Sequence, residues 1–136
     1  MASILKVDEL QGIVSAGDIT VTSEGGAATQ SLQQGLAKAW MKFNASSGTP
    51  TINDSLNFSS FTDTAVGNHK INFASAFSNA DYAFPIGASL VGTDGRHSYN
   101  TNDAPSTTIF RIGTSNSSNS AVDATHCSVS FFGDLA

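Results

Sequence analysis

Apolar and polar residues alternate along most of the chain from Ala37 onward. A period of two is typical of strands with one buried and one exposed face, because successive side chains of a strand point in opposite directions. The alternating apolar positions are Ala37, Ala39, Met41 and Phe43, then Ile52, Leu56 and Phe58, and then Ile71, Phe73 and Phe77. The pattern predicts six or seven strands, the clearest at 37–43, 52–61, 69–77, 82–91, 107–113 and 126–132.

Turn residues separate these segments, and no long helical pattern interrupts them. Short strands joined by turns are typical of an antiparallel β-sandwich or a jelly roll, so we expect an all-β domain. A hairpin is expected around Val66-Gly67-Asn68, because Gly and Asn tolerate positive φ. Pro85 lacks a backbone donor, which predicts an edge strand or a bulge at that position.

The first 36 residues follow a different pattern and predict an extended arm, 1–36, ahead of a sandwich domain, 37–136. A short strand is expected at 19–22, and two helical turns are expected at 27–36. Glycines interrupt the apolar residues of the arm, so it cannot bury them alone. These apolar residues, which we expect to dock on a partner, are Ile4, Leu5, Val7 and Leu10.

Composition limits the partners of the chain. Only 12% of its 136 residues are charged, against roughly a quarter in a typical soluble domain. The net charge of -5 argues against a nucleic-acid partner, because neutralising phosphates requires clustered Lys and Arg. No apolar stretch reaches the roughly 20 residues that span a bilayer, and Asp8 and Glu9 interrupt any signal peptide, so we expect no membrane insertion.

The sequence carries no pattern that points to catalysis. It has no Gly-x-Ser-x-Gly motif, and its two glutamates, Glu9 and Glu24, both lie in the arm. The histidines do not have metal-ligand spacing, and no phosphate-binding glycine loop is present. Cys127 is the single cysteine and lies in an alternating segment, which predicts a small buried residue. We expect no enzyme activity, no cofactor and no metal site.

Two longer segments, 92–105 and 114–123, have the composition of exposed loops. The first combines aromatic and basic side chains that can stack on a ligand and donate hydrogen bonds to it. Its candidate contact residues are Asp94, Arg96, His97, Tyr99 and Asn100. An ordinary solvated loop or a subunit contact is the alternative interpretation.

Trp40 has a position that is difficult to explain within a single chain. Alternation places it beside Lys38 and Lys42, on the face of the first strand that should meet solvent. A second subunit could cover the ring, and the lysines could then lie at the rim or over the ring. Alternatively, the stems of the lysines cover Trp40 within one chain.

Several short motifs resemble small fibre and appendage proteins of tailed bacteriophages, particularly those of marine and cyanobacterial phages. The motifs are Gly35-Leu-Ala-Lys-Ala-Trp40, Asn53-Asp-Ser55, Val66-Gly-Asn-His-Lys-Ile-Asn-Phe73, Asn79-Ala-Asp-Tyr82 and Phe132-Gly-Asp134. The start, Met1-Ala-Ser-Ile-Leu-Lys-Val-Asp8, is similar to that of several virion proteins. The region 92–123 is not covered by this resemblance.

This resemblance implies a virion structural protein that is assembled in the host cytoplasm. It implies a short tail fibre or appendage component that forms a homotrimer. The arm would contact other virion proteins, and the sandwich would contact the host surface, for instance a glycan. A capsid-decorating or head-fibre protein is an alternative within the same class. A lectin-like carbohydrate-binding module is an alternative from another class, and it should fold and bind glycan without the arm.

Overall fold

The structure, a computed structural model, describes residues 4–11, 19–22, 26, 28–46, 49–89, 96–101 and 104–136. The chain forms two compact units, Met1–Leu36 and Ala37–Ala136. The roles that the sequence suggests for the two units, attachment and outward display, stay predictions.

The first unit contains a small antiparallel pair of strands, β1 (Thr20–Thr22) and β2 (Thr29–Ser31), followed by one helical turn, α1 (Leu32–Gly35). The strand expected at 19–22 is therefore present. The prediction of two helical turns at 27–36 is wrong, because Thr29–Ser31 pair with β1 as a strand and only Leu32–Gly35 remain for one helical turn. No helix in the described part of the chain is long and apolar enough to cross a membrane.

The second unit is an antiparallel sandwich of two four-stranded sheets within the described residues. The first sheet has the order β4-β3-β10-β7, and the second sheet has the order β5-β6-β9-β8. The strands are β3 (Ala39–Asn44), β4 (Thr51–Leu56), β5 (Phe58–Ala65), β6 (Asn68–Phe73), β7 (Ile86–Ser89), β8 (Arg96–Asn100), β9 (Ile109–Asn116) and β10 (His126–Phe131). The predicted all-β sandwich class is confirmed.

Aromatic side chains fill the space between the two sheets. Phe131 of β10 contacts Phe73 of β6 and Phe110 of β9, with ring centroids 5.0 Å apart in both pairs. The alternation in β3 is confirmed, since Ala39, Met41 and Phe43 are buried. The period of two therefore predicts correctly which face of this strand meets the core.

The segment 52–61, predicted as one strand, is in fact two strands in different sheets. Asn57 separates β4 from β5 and adopts a positive φ of 62°. Its side chain accepts a hydrogen bond from the Ser75 amide (2.6 Å) and donates one to the Ser75 carbonyl (3.2 Å). β4 is an edge strand, and a register shift between Lys42 and Phe43 places Ile52 opposite Phe43 but Leu56 opposite the outward-facing Trp40. Ile52 and Leu56 are therefore 42% and 48% exposed rather than half-buried as expected.

Three further predicted strands have different bounds in the structure. The strand at 69–77 ends at Phe73, although Phe77 is still buried and forms a bridge with Leu135. The strand at 82–91 is reduced to β7 in the described residues, and the strand at 107–113 extends to Asn116 as β9. Pro85 directly precedes β7, which is an edge strand as predicted.

The hairpin predicted around Val66-Gly67-Asn68 is confirmed and joins β5 to β6. Gly67 adopts a φ of 67°, and a Cβ at this position would meet the backbone of Thr114 and of Val122. The Gly67 amide donates a hydrogen bond to Oδ1 of Asp123 (2.6 Å). Glycine is therefore required at position 67 for two reasons: the backbone has a positive φ, and the backbone of Thr114 and Val122 leaves no space for a side chain.

Candidate ligand-contact face

The segment 92–105, expected to be a loop, contains the edge strand β8 of the second sheet. β8 pairs with β9 along its whole length, with Tyr99 opposite Gly113 and His97 opposite Ser115. Its sequence is poor in β-forming apolar residues, so the pairing depends on β9 rather than on local preference. The loop prediction is therefore wrong for 96–100.

The strand divides the contact candidates between its two faces. His97 and Tyr99 point outward and are exposed, and the Tyr99 side chain is 41% exposed. Asn100 lies opposite Ile112 on the inward face, where its Nδ2 atom is buried without a hydrogen-bond partner. Arg96 begins β8, and Asp94 lies outside the described residues. Only His97 and Tyr99 of the predicted set are thus shown on one exposed surface.

The Tyr99 ring lies against Gly113 on the neighbouring strand. A Cβ at Gly113 would overlap the Cε2 and Cζ atoms of this ring. Gly113 is buried beneath it, whereas the Tyr99 side chain is 41% exposed, so the ring covers this part of β9 and still meets solvent. An aromatic ring held in this way offers a preorganised apolar surface for a ligand.

The loop after β9 forms the other side of an open cleft beside Tyr99. Oδ1 of Asn116 accepts hydrogen bonds from the amides of Ser118 (3.0 Å) and Ser120 (2.9 Å), and Asn119 adopts a φ of 59°. The cleft has a volume of about 450 Å³. It is lined by His97, Ser98, Tyr99, Ser115 and Asn119. The loop predicted at 114–123 is thus shorter, because Ser115 pairs with Ala121.

Two basic residues lie on the same outer face, next to Tyr99. Lys70 of β6 is directly opposite Arg111 of β9, and both point away from the core because their neighbours in each strand are buried. Gly113, which carries the Tyr99 ring, is two residues from Arg111 along β9. We call Lys70, His97, Tyr99 and Arg111 the Tyr99 face. The sequence analysis did not identify Lys70 and Arg111, because their pairing depends on the register of the strands.

His69 lies on the inner side of the same sheet and is buried against two phenylalanine rings, Phe43 and Phe61, each 5.5 Å away. Its Nδ1 atom is 3.5 Å from Oδ1 of Asp63, and its Nε2 atom is 3.9 Å from Oδ1 of Asp123. Burial lowers the pKa of His69 below its ordinary value of 6.5, against the opposing effect of the two carboxylates. At neutral pH the ring is therefore uncharged, and these contacts are not ion pairs.

The described residues contain no group of three or more His, Cys, Asp or Glu side chains arranged to hold a metal ion. Cys127 is buried, and burial is the main reason that its pKa rises to about 12. Tyr82 is also buried, which raises its pKa to about 12, and its hydroxyl donates a hydrogen bond to the Ser106 carbonyl (3.0 Å). Both side chains belong to the core.

The predicted subunit contact lies on the outer face of the first sheet. Trp40 is partly buried and lies directly opposite Leu56 of β4 and Ser130 of β10. Lys38 is also partly buried, and Lys42 is exposed opposite Asp54. Leu56 is exposed beside Trp40, and we call these two apolar side chains the Trp40 patch. Whether a second subunit covers it stays a prediction.

The predicted docking residues of the first unit are exposed. The exposed fractions are 78% for Ile4, 77% for Leu5, 55% for Val7 and 55% for Leu10. Apolar side chains with this exposure are consistent with a segment that needs a partner to bury it. The docking role itself stays a prediction.

No protein-family model matches the chain, and no curated protein matches it in sequence. Among solved structures, the chain is similar to the phiAB6 tailspike, which was crystallised in complex with three-repeated oligosaccharides of Acinetobacter baumannii surface polysaccharide. The TM-score is 0.51 at 12% sequence identity, and the match covers 98% of this chain and 30% of the tailspike chain. At this identity the similarity concerns the fold alone.

Proposed function

We propose that this chain is a structural protein of a bacteriophage virion, a short tail fibre or appendage component that contacts a glycan of the host surface. The Tyr99 ring carries this proposal, because it is exposed beside an open cleft on a four-stranded sheet. Flat aromatic rings stack on the apolar faces of sugars, and the surrounding Ser and Asn side chains can bond to hydroxyl groups. The fold shared with a tailspike that binds oligosaccharides supports the same role.

The arm is proposed as the part that attaches to the particle. Its exposed apolar residues need a binding partner, and the sandwich unit has a core of its own. Deleting residues 1–26 from the protein encoded by the phage should leave the sandwich folded but absent from purified particles. Normal incorporation of the shortened protein would place the attachment site elsewhere in the chain.

Glycan contact is tested by the full-length protein on an array of immobilised bacterial surface polysaccharides. Tyr99→Ala should weaken binding about tenfold or more, as expected for a central aromatic contact, whereas Tyr99→Phe should retain most of it. Leu135→Ala is a suitable control, because Leu135 has the same 41% exposure and lies outside the Tyr99 face. Equal binding by Tyr99→Ala and the native protein would refute the proposed contact.

The alternative function is a protein that decorates the capsid without binding a receptor, and the Tyr99→Ala variant distinguishes the two functions. Particles that carry the Tyr99→Ala protein should adsorb less to host cells if the protein is a receptor-binding appendage. Unchanged adsorption, with the variant present on the particle and no glycan bound by the native protein, would favour a purely structural role.

A further inference from the structure

The buried imidazole of His69 lies close to two carboxylates, one at each ring nitrogen. Its Nδ1 atom is 3.5 Å from Oδ1 of Asp63 on β5, and its Nε2 atom is 3.9 Å from Oδ1 of Asp123 in the loop that joins β9 to β10. Both distances exceed the usual hydrogen-bond length of about 2.7–3.2 Å, and neither ring nitrogen has a hydrogen-bond partner among the described residues. Buried polar atoms without partners are costly, so a rearrangement that supplies partners is favourable.

The protonation state of the ring decides how many of these contacts can become hydrogen bonds. A neutral imidazole has one N–H group and can donate to only one carboxylate, whereas the imidazolium cation donates from both nitrogens. Burial favours the neutral ring, but the two carboxylates attract the protonated ring. Asp63 and Asp123 both keep partial contact with solvent, so the cluster can take up a proton from water.

Asp123 connects the ring to two other parts of the sandwich. Its Oδ1 atom accepts the hydrogen bond from the Gly67 amide, in the turn between β5 and β6. The preceding residue, Val122, donates from its amide to the Thr114 carbonyl (3.1 Å) and accepts a hydrogen bond from the Thr114 hydroxyl (2.6 Å). A displacement of Asp123 toward His69 therefore also moves the end of the β9–β10 loop relative to the turn at Gly67.

The same loop forms one side of the cleft beside Tyr99. Asn119 of the loop and Ser115 of β9 both line this cleft. We infer that protonation of His69 draws Asp123 toward the ring and moves the β9–β10 loop, so that the shape of the cleft depends on pH. His69 is the group that senses pH, and the loop is the element that changes position.

The other elements packed on the ring contribute no charged side chain among the described residues. Burial, and secondly Asp123, raise the pKa of the Cys127 thiol on β10 to about 12, so this thiol stays neutral in mild acid. The charge of the cluster in this range therefore depends on His69 and its two carboxylates. The remaining neighbours of the ring are the apolar side chains Phe43 of β3, Phe61 of β5 and Ile112 of β9.

Nuclear magnetic resonance of the isotope-labelled, full-length protein tests the coupling without any ligand. The outcome is therefore separate from that of the proposed glycan contact. The ring nitrogens of His69 report its protonation between about pH 8 and about pH 5. The amide resonances of Gly67 and Val122 should shift with the same midpoint as the ring. This midpoint should lie below 6.5, because burial lowers the pKa of His69.

Crystal structures at the two ends of this pH range measure the movement itself. The distance between Nε2 of His69 and Oδ1 of Asp123 should shorten from 3.9 Å to a hydrogen-bond length of about 3 Å at the acidic end. The backbone of the β9–β10 loop should move with the carboxylate, and Asn119 should change its position in the cleft.

Asp123→Asn and Asp63→Asn form a matched pair of variants. Each removes one carboxylate beside the ring, so both should lower the midpoint of His69. Asp123→Asn keeps an oxygen that can accept the Gly67 hydrogen bond, but the changes at Gly67 and Val122 should become much smaller, because the charge that is drawn to the ring is lost. Asp63→Asn should preserve these changes at its lower midpoint, since Asp63 lies in β5 and not in the loop.

Three results would overturn the inference. A ring that stays neutral down to about pH 5 would show that His69 does not sense mild acid. A ring that becomes charged while the Gly67 and Val122 resonances, or the distance to Asp123 in the crystal, stay unchanged would exclude coupling to the loop. Changes of native size in Asp123→Asn would exclude Asp123 as the connection.

Discussion

The Tyr99 ring occupies the space above Gly113 that any larger residue would need. This contact joins the edge strand β8 to the central strand β9 and orients the exposed ring. Gly113→Ala should therefore displace the Tyr99 ring outward, and because this ring is 41% exposed, the loss in the free energy of unfolding should be about 0.5–1.5 kcal/mol, the cost of moving the side chain from its preferred rotamer. Chemical denaturation of the purified protein measures this loss.

A double-mutant cycle tests the contact directly. The cost of Gly113→Ala should largely disappear when Tyr99 is also replaced by Ala, because the added methyl group then meets no ring. Gly87→Ala serves as a control, since its Cβ would lie 3.3 Å from the Ser128 hydroxyl, a side chain that can move. Additive costs at Gly113 and Tyr99 would show that the two positions do not interact.

Asn57 holds the corner at which the chain passes from the first sheet to the second. Asn57→Ala should destabilise the protein by about 2 kcal/mol or more, because it loses two hydrogen bonds and places a Cβ residue at a positive φ without the local bonding of Asn. Asn57→Gly should cost less, because glycine adopts this conformation freely. Ser75→Ala should leave the free energy of unfolding unchanged, since both hydrogen bonds of Asn57 go to the backbone of Ser75. Equal losses for the Ala and Gly variants would contradict the conformational part of this account.

The buried His69 should make stability sensitive to mild acid. Its pKa in the folded chain lies below 6.5, so the unfolded chain binds the proton more tightly. The contribution of the neutral ring is therefore complete above pH 6.5 and is lost as the pH falls from that value toward the pKa in the folded state. We expect the free energy of unfolding to decrease over this interval.

Denaturation between pH 5 and 8 checks this expectation. His69→Phe should reduce the dependence on pH, because a phenylalanine ring can pack against Phe43 and Phe61 as the imidazole does but does not titrate. An unaltered pH profile for His69→Phe would assign the effect to other groups.

The Trp40 patch should form the subunit contact. Trp40→Ala should shift the assembly toward monomer, because a central aromatic anchor commonly contributes about 2 kcal/mol or more to an interface. Light scattering over a range of low concentrations measures the mass, and Ser128→Ala, on the same outer face, provides the control. The interface would have to lie elsewhere if Trp40→Ala and the native protein had the same mass at every concentration.

Much of the fold follows from local patterns. Alternation correctly assigns the buried faces of β3, β6 and β10, because the side-chain period of a strand is a property of the backbone itself. The β5–β6 turn was equally predictable, since Gly and Asn tolerate the positive φ that a tight turn requires. The candidate site was predicted only in part: Tyr99 and His97 stand out by residue type, whereas Lys70 and Arg111 do not.

Sequence alone therefore determined the all-β class, the inward-facing residues of β3 and the chemical character of the exposed Tyr99 and His97, because these depend on each residue and its near neighbours. Tertiary structure alone decided that 96–100 is a strand, that Asn57 divides one apparent strand between two sheets, and that Lys70 faces Arg111. Each of these features depends on which strands pair and in which register. Pairing is set by the free energy of packing the whole sandwich, in which residues far apart in sequence become neighbours.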